Sequence, residues 1–335
     1  MRAVWVREYT DFDRLTVEDV AAPGPLDARQ VRIDIRAAGI SYAANLVVTG
    51  KYQRKPPLPF APGTECAGVI AKCGSGVTRF KPGDRVCATL DWGAYAEQAV
   101  AWECNVFALP QSMSFPEATN FNSYATATAA LSWPHLLDVK PGETLLVHGA
   151  AGAVGLAGVE IGKIRGATVI ATASTAEKRQ VARDHGADHV IDYSDGEFRA
   201  EVNEITQGRG ADAILDPVGG DVFDQSLRCI ALQGRIAPVG FTSGRIPQVP
   251  VNIVLLKNIS VRGLNMGAYY GWSPTDLRWE MEPRVRALLD DFTRWFEQGR
   301  IRPLVSATYA LDDFRDAMNM VLERRSTGRV ALVMD

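Results

Sequence analysis

The chain has 335 residues, of which 47% are hydrophobic and 22% charged, and its formal net charge is -3. This length predicts about two domains, and the charge balance argues against nucleic acid or an anionic membrane as the main partner. No apolar run reaches the roughly 20 residues that span a bilayer, and residues 1–6 predict a strand rather than a signal peptide, so we expect a cytoplasmic protein.

Short apolar segments broken by glycine and proline fill the chain up to about residue 120. The alternation over 31–37 predicts a half-buried strand, and 67–71 and 84–88 are further strand candidates. Turn signals such as Pro62-Gly63 separate these segments. Many short strands with such turns predict a small β-rich domain.

From about residue 123 the pattern changes to strands that alternate with helices. A buried β run at 144–148 ends at a glycine-rich turn, and Val154, Ala157 and Ile161 follow at helical spacing. Further strands are predicted at 168–172, 189–193, 213–216 and 235–240, and a helix at 176–185. Buried strands separated by helices imply a parallel sheet covered on both faces, so the predicted fold class is α/β.

The C-terminal part of the chain has a different character. Residues 283–299 and 312–323 predict amphipathic helices, and 329–333 predicts a last strand. The α/β segment is therefore flanked on both sides by segments of another type.

A glycine-rich turn joins the 144–148 strand to the next helix, with the sequence Gly149-Ala150-Ala151-Gly152-Ala153-Val154-Gly155. Small residues let the backbone approach a pyrophosphate, and the N–H groups and positive dipole of the helix start stabilise its charge. Ala150 departs from the G-x-G-x-x-G pattern, but the strand, the helix and the later βα units favour a dinucleotide site. The alternative is a tight turn without a ligand.

The end of the second strand distinguishes NAD from NADP. NAD sites usually have an acidic residue there, about 20 residues beyond the turn, to bind the ribose hydroxyls. This chain has Ser174 and Thr175 instead, with Lys178 and Arg179 shortly after. Hydroxyls together with cations suit the 2′-phosphate of NADPH. The alternative for Lys178 is an exposed helix cation.

Several segments recur in an order and spacing that identify a family. They are 62–69, 76–86, 93–97, 147–155, 185–188, 216–220 and 328–332. On these segments the chain resembles the medium-chain dehydrogenase/reductase superfamily, in its zinc-free quinone oxidoreductase (ζ-crystallin-like) branch. The resemblance implies a GroES-like catalytic domain from 1–122 and 266–335, with a Rossmann NADP-binding domain at 123–265. It also implies a homodimer joined through the Rossmann sheets, with 258–264 as the edge strand.

The zinc-dependent members of the superfamily have a cysteine where this chain has Ser41 and a histidine where it has Thr64. The structural-zinc cysteine lobe is also missing between Asp84 and Tyr95. The five cysteines lack paired metal-ligand spacing. We therefore expect no metal site, and hydride transfer to an electron-poor acceptor rather than alcohol oxidation.

The resemblance also implies cofactor contacts. Ala151, Gly152, Ala153 and Val154 would line the pyrophosphate; Ser174, Lys178 and Tyr193 the 2′-phosphate; Thr126, Gly240 and Phe241 the nicotinamide side; and Arg325 would lie near the phosphates. For Tyr193 the alternative is an ordinary tyrosine at the end of an amphipathic strand.

One loop departs from the family. Quinone reductases of this branch commonly have Asn-Phe-x-Asp after Gly39-Ile40, where this chain has Ser41-Tyr42-Ala43-Ala44-Asn45. In the family this loop touches nicotinamide and substrate, so Ser41 and Asn45 are predicted cofactor contacts while the natural acceptor stays open.

The predicted substrate-side groups are Tyr42, Tyr52 and Thr126. The phenol of Tyr52 would orient a carbonyl or supply a proton, and the alternative is a packing tyrosine. Tyr269, Tyr270 and Trp272 would either cap a flat ligand or belong to the core or an interface.

The expected function is NADPH-dependent reduction of a small-molecule quinone without a metal. The nearest alternative is reduction of an α,β-unsaturated carbonyl, either a 2-alkenal or enone or an enoyl thioester. A non-enzymatic binding or structural role, as in ζ-crystallin-like proteins, is a third possibility, and the acidic net charge argues against RNA as its partner.

Overall fold

Short strands dominate the N-terminal part of the chain, helices alternate with strands in the middle, and the C-terminal part combines two α-helices with two strands. The computed structural model describes residues 1–334, and within this range no helix is both long and apolar enough to cross a membrane. The strands are β1 (Arg2–Trp5), β2 (Thr16–Asp19), β3 (Gln30–Gly39), β4 (Glu65–Cys73), β5 (Arg85–Thr89), β6 (Gln98–Trp102), β7 (Val106–Ala108), β8 (Thr144–Val147), β9 (Thr168–Ala173), β10 (His189–Asp192), β11 (Ala211–Asp216), β12 (Ile230–Pro238), β13 (Ser260–Val261), β14 (Val305–Ala310) and β15 (Arg329–Val333). The helices are α1 (Tyr42–Val48), α2 (Phe115–Ala118), α3 (Phe121–Ser132), α4 (Ala153–Ile164), α5 (Ala176–Asp184), α6 (Arg199–Ile205), α7 (Gly220–Cys229), α8 (Val251–Lys257), α9 (Arg278–Glu297) and α10 (Phe314–Leu322).

Two compact units divide the chain. The first comprises Met1–Asn122, Met266–Glu297 and the chain from Pro303 onwards, and the second comprises Ser123–Asn265 and Gln298–Arg302. The segment Gln298–Arg302 thus packs with the second unit, whereas the sequence predicts all of 266–335 for the catalytic domain. A physical reason is that the backbone N–H of Arg302 donates to the buried carboxylate of Glu160, 3.1 Å away.

The first unit is built on a mixed sheet in the order β14-β15-β3-β4-β5-β7, with β6 also paired to β3. β3 is its longest strand, and Val31, Ile33 and Ile35 alternate into the core as the sequence predicts. β15 pairs antiparallel with the end of β3, where Ala331 lies opposite Gly39. The last strand of the chain therefore supports the residues that lead into α1.

The second unit is built on a parallel sheet in the order β10-β9-β8-β11-β12-β13. All four residues of β8 are buried, as expected for a strand covered on both faces. Because parallel strands point the same way, the segments that follow β8, β9, β10, β11 and β12 meet at one edge of the sheet. The strand order reverses next to β8, and α/β sheets bind ligands at such a switch point.

The structure corrects several predicted boundaries. α9 begins at Arg278 rather than at 283, because the Asp276 carboxylate accepts from the N–H of Arg278, and Pro283 lies inside the helix. β13 spans only Ser260–Val261 of the predicted 258–264, since Asn258 is left-handed with φ +50°. β12 ends at Pro238, so the predicted contacts at 240 and 241 lie on the segment beyond it.

Candidate functional site

A tight turn connects β8 to α4. Gly149 has a φ of +54°, and the N–H of Gly152 donates to the carbonyl of Gly149 at 2.9 Å. A Cβ at Gly155 would lie 2.2 Å from that same carbonyl oxygen, so residue 155 must be glycine. The start of α4 consequently packs directly against the turn.

This turn fits a dinucleotide pyrophosphate. Gly152 is the N-cap of α4 and provides no side-chain cap, so the first N–H groups of a twelve-residue helix are not capped by its own N-cap residue. The helix dipole adds positive potential at the same place. Of the predicted contacts, Ala151 is buried at the turn, and Gly152, Ala153 and Val154 are partly exposed there.

The buried His148 ring, directly before the turn, forms hydrogen bonds to two neighbouring elements. Its Nε2 lies 2.8 Å from the hydroxyl of Ser226 and its Nδ1 lies 3.0 Å from that of Thr172. The Ser226 hydroxyl donates to the carbonyl of Val222, so it accepts from Nε2–H and the Thr172 hydroxyl donates to Nδ1. Burial lowers the pKa of His148 to about 3, so the ring is neutral and ties β8 to β9 and α7.

The ends of β9 and β10 bring the predicted 2′-phosphate residues to one edge. Ala173 pairs with Asp192 in the parallel register, so Ser174 and Tyr193 each follow a paired position. Thr175 caps α5 by accepting from the N–H of Lys178 at 3.2 Å. Ser174, Lys178 and Tyr193 are all partly exposed, as a contact to a ligand requires.

Arg179 has a different role from Lys178. Its guanidinium forms an ion pair with Asp192 at 2.7 Å and its side chain is 19% exposed. The cation of Arg179 is therefore paired with the end of β10, and the acid at that strand end is neutralised.

The residues predicted to contact the nicotinamide lie on α3 and on the segment after β12, both in the second unit. Gly240 and Phe241 follow β12, and the N–H groups of Thr242 and Ser243 donate to the carbonyls of Pro217 and Val218. This pairing fixes the segment that carries Phe241, whose side chain is 38% exposed. Thr126 lies within α3 and is largely buried.

Asp216, at the end of β11, holds the neighbouring turn. Its Oδ1 accepts from the N–H groups of Val218 and Gly219 at 2.7 and 2.9 Å. Its Oδ2 is buried and has no hydrogen-bond partner among the described residues. Burial raises the pKa of Asp216 to about 6, although the two N–H donors partly oppose this rise.

In the first unit, residues 41–45, whose sequence differs from that of related quinone reductases, form the start of a helix. Ser41 is the N-cap of α1, and its hydroxyl accepts from the N–H of Ala44 at 3.3 Å. Tyr42 and Asn45 lie on this helix and are partly exposed. The predicted contacts Ser41 and Asn45 are thus held by a capped helix and not by a flexible loop.

A buried ion pair lies directly behind this helix start. The guanidinium of Arg329 contacts the carboxylate of Glu65 and donates to the carbonyl of Thr119 at 2.7 Å and, at 3.5 Å, to that of Ile40. Asn122 donates to Glu65 at 2.7 Å. Burial lowers the pKa of Arg329 to about 10, so it stays charged at neutral pH and fixes the residue that precedes Ser41.

A cavity of the first unit contains Tyr52. Its lining residues come from α1 and from three loops: Ala43, Ala44, Val47, Tyr52, Arg54, Pro56, Phe60, Pro62, Gly63, Thr64, Asp91, Trp92 and Trp272. Burial raises the pKa of Tyr52, so its phenol is protonated at neutral pH and can donate a hydrogen bond. Tyr42 is not among the lining residues, and Tyr270 is fully buried in the core.

Arg325, the last predicted contact, lies on the surface of the first unit. Its Nε donates to Glu323 at 2.6 Å, and both side chains are more than half exposed. An exposed pair of this kind is weak, so the guanidinium is available to exchange its partner for a phosphate.

Within residues 1–334, no group of three or more His, Cys, Asp or Glu side chains could hold a metal ion. At the two positions where zinc-dependent relatives have ligands, Ser41 caps α1 and Thr64 lines the cavity.

Two domain families match the chain: the alcohol dehydrogenase GroES-like domain over 27–111 and the zinc-binding dehydrogenase domain over 153–282. The quinone oxidoreductase-like protein 2 homolog of Nematostella vectensis is 42% identical over 95% of this chain and 85% of its own length. The chain belongs to the quinone oxidoreductase family of the medium-chain dehydrogenase/reductase superfamily. It is therefore an oxidoreductase, and the predicted family and fold class are confirmed.

Further members of the quinone oxidoreductase family match over nearly the whole chain. The quinone oxidoreductase of Pseudomonas aeruginosa is 34% identical over 98% of this chain and 95% of its own length. The crystal structure of Escherichia coli quinone oxidoreductase complexed with NADPH is 27% identical, with a TM-score of 0.90 over the full length of both chains.

Sequence reasoning misses the ionic groups of the first unit. Arg54 and Asp91 meet in the cavity, and Arg329 and Glu65 meet behind α1, although each pair is far apart in the sequence. Isolated charged residues in loops, such as Arg54 and Asp91, or at the first position of a strand, such as Glu65 and Arg329, give no periodic pattern, so only the tertiary fold reveals these pairs.

We predict that Asp216 makes stability depend on pH. The pKa of the Asp216 carboxyl is raised in the folded state, so the stability that it contributes is fully present when the pH is below its pKa in the unfolded chain. This contribution is lost as the pH rises through about 6. Between about pH 5 and about pH 8, the free energy of unfolding of the wild-type protein should fall by on the order of 1 kcal/mol more than that of Asp216→Asn. Thermal unfolding at both pH values measures this.

The control for this prediction is Asp221→Asn, since the side chain of Asp221 is 91% exposed. Its difference from wild type should be the same at both pH values. A difference between Asp216→Asn and wild type that does not change with pH would contradict the raised pKa.

Proposed function

We propose that this oxidoreductase reduces a quinone with NADPH and without a metal ion. The observation that carries the proposal is the cofactor half-site of the second unit. There, a glycine turn that fits a pyrophosphate lies next to a strand end with Ser174 and without an acidic residue. The relatives named as quinone oxidoreductases, one of them complexed with NADPH, support it.

In this proposal the second unit binds the cofactor. The N–H groups of Ala151, Ala153 and Val154 hold the pyrophosphate, which Gly152 lets approach the backbone, and Ser174, Lys178 and Tyr193 bind the 2′-phosphate. The Asp216 turn and the Pro217 and Val218 carbonyls hold the segment of Gly240 and Phe241, which with Thr126 would position the nicotinamide. Ser41, Asn45 and Arg325 complete the predicted contacts. When bound, NADPH supplies the hydride.

The first unit binds the acceptor in this proposal. Aromatic and apolar side chains form most of the cavity wall, and the protonated phenol of Tyr52 donates a hydrogen bond to an acceptor oxygen. Tyr42 lies on the same helix as the lining residues Ala43 and Ala44. Since Ser41 and Thr64 replace the zinc ligands of other superfamily members, orientation and hydrogen bonding would replace Lewis-acid activation.

We also propose a homodimer formed through the second unit. β13 lies at the end of its sheet. Close to it, Val251, Leu255 and Leu256 of α8 are 73%, 75% and 74% exposed. Apolar exposure of this extent on one short helix beside a sheet edge is typical of an interface with a second copy.

We predict a preference for NADPH over NADH of at least about tenfold in kcat/KM, because a 2′-phosphate gains charge-assisted hydrogen bonds. Lys178→Gln should remove most of this preference while leaving kcat/KM for NADH within about threefold. Steady-state rates with both cofactors measure it. The control is Arg183→Gln, an exposed cation on the same helix. Equal use of both cofactors by the wild type would contradict the assignment.

The acceptor is tested with a panel of a naphthoquinone, a 2-alkenal and an enoyl-CoA, each with NADPH. We expect kcat/KM for the quinone to exceed that of the others by at least about tenfold, because a quinone accepts hydride without a proton on carbon. Faster turnover of the alkenal or the thioester would favour the alternative function. Full activity with less than stoichiometric zinc by elemental analysis is expected.

The dimer is tested by light scattering after gel filtration. The wild type should have about twice the 36.4 kDa mass of one chain. The double substitution Leu255→Glu and Leu256→Glu should give a monomer, because it places charges in the apolar contact. Leu58→Glu, at an exposed leucine of the first unit, is the control. A monomeric wild type would reject the proposal.

A further inference from the structure

The cavity of the first unit has one polar side in an apolar and aromatic lining. Trp92, Trp272, Phe60 and Tyr52 contribute aromatic side chains. Among the described lining residues, Arg54 is the one cation and Asp91 the one anion. The volume of the cavity is about 30 Å³, room for about two waters, and the cavity opens to solvent, so a larger ligand would extend into its open mouth.

Arg54 is held in place but keeps free donors. It donates from one nitrogen to the Asp91 carboxylate at 3.1 Å and from another to the Asp91 carbonyl at 3.3 Å. Its guanidinium lies 5.4 Å from the centre of the Trp92 ring. A guanidinium has five N–H donors, so most remain for a ligand, and the side chain is 27% exposed.

Arg54 shares its carboxylate partner with a second arginine. The same Asp91 oxygen also pairs with Arg278 at 3.1 Å, and the Arg278 side chain is only 6% exposed. The other acid of Arg278 is Asp276, which is 52% exposed and therefore screened by solvent. Asp91, whose side chain is 25% exposed, is thus shared by two guanidinium groups, while Asp276 pairs with the Arg278 guanidinium alone.

Two further groups add to the polar character of the lining. The Nε1 of Trp272 is buried and has no hydrogen-bond partner within residues 1–334. The charge of Arg54 also acts on Tyr52, since it partly opposes the rise that burial causes in the pKa of that phenol. The lining of the cavity therefore combines hydrogen-bond donors and a cation with aromatic side chains.

We propose that Arg54 is a specificity-determining residue that selects flat aromatic acceptors with an anionic substituent. This inference rests on the proposed quinone reduction and names the substrate class of the same site. The ring stacks against Trp92 and Trp272, and the anionic group replaces water at the unused donors of Arg54.

A purely structural role for Arg54 predicts different behaviour. In that case the guanidinium would only tie its loop to Asp91, and its loss would impair all acceptors equally. A charge-selecting role instead changes the ratio between anionic and neutral acceptors, and a lysine would retain most of it because the positive charge remains.

The experiment compares kcat/KM of the full-length protein with NADPH for 1,4-naphthoquinone and for its ring-sulfonated derivative. Arg54→Gln should lower kcat/KM for the sulfonate at least about tenfold more than for the neutral quinone, and Arg54→Lys should keep the ratio within about threefold of wild type. Lys55→Gln, whose cation lies over the Tyr9 ring outside the lining, is the control and should not change the ratio.

A second readout does not depend on turnover, and its wild-type measurements do not depend on the fold of a variant. Sulfonate binding to wild-type protein saturated with NADP⁺ is measured by calorimetry at low and high salt. Affinity should fall with salt, since a charge contact is screened. The affinity of Arg54→Gln should be about tenfold lower than that of wild type.

Equal losses for both quinones in Arg54→Gln, or salt-independent binding of the sulfonate, would overturn the inference. If the wild type reduces neither quinone, the proposed function fails. The calorimetric result then still decides whether Arg54 binds a planar anion.

Discussion

The close contact between the start of α4 and the turn after β8 is the constraint on which the proposed cofactor half-site depends. A Cβ at Gly155 would lie 2.2 Å from the carbonyl oxygen of Gly149, so the helix can begin against the turn only without a side chain there. The neutral His148 ring beneath the turn links β8 to β9 and α7. Because the sheet is parallel, the ends of the other strands then carry their residues to the same edge.

The second unit could largely be predicted from the sequence because its signals are local. Buried apolar runs, a glycine turn and a capped α5 each occupy a few consecutive residues, and the parallel sheet follows from their alternation. The boundaries were less predictable where a single side chain decides them. Asp276 starts α9 before Pro283, and left-handed Asn258 shortens the edge strand to Ser260–Val261.

The first unit was predictable in its strands but not in its polar contacts. Its cavity depends on Arg54, Asp91 and Arg278, which three separate segments contribute. The start of α1 depends on Arg329, which reaches Glu65 and the carbonyl of Ile40 across the sheet. Such pairs obey no sequence period, and their burial gives them their effect, since a charge buried without a partner would be costly. Sequence reasoning therefore names Tyr52 in the cavity, but only the structure reveals the charged residues beside it.

The location of the cofactor is the central claim, and hydrogen–deuterium exchange of the full-length protein tests it most directly. Exchange is compared with and without saturating NADPH, since amides that bind or pack under a ligand exchange more slowly. The account predicts slower exchange over 150–156 and 174–179 once NADPH is bound. Saturated NADPH binding that leaves both segments unprotected would contradict it.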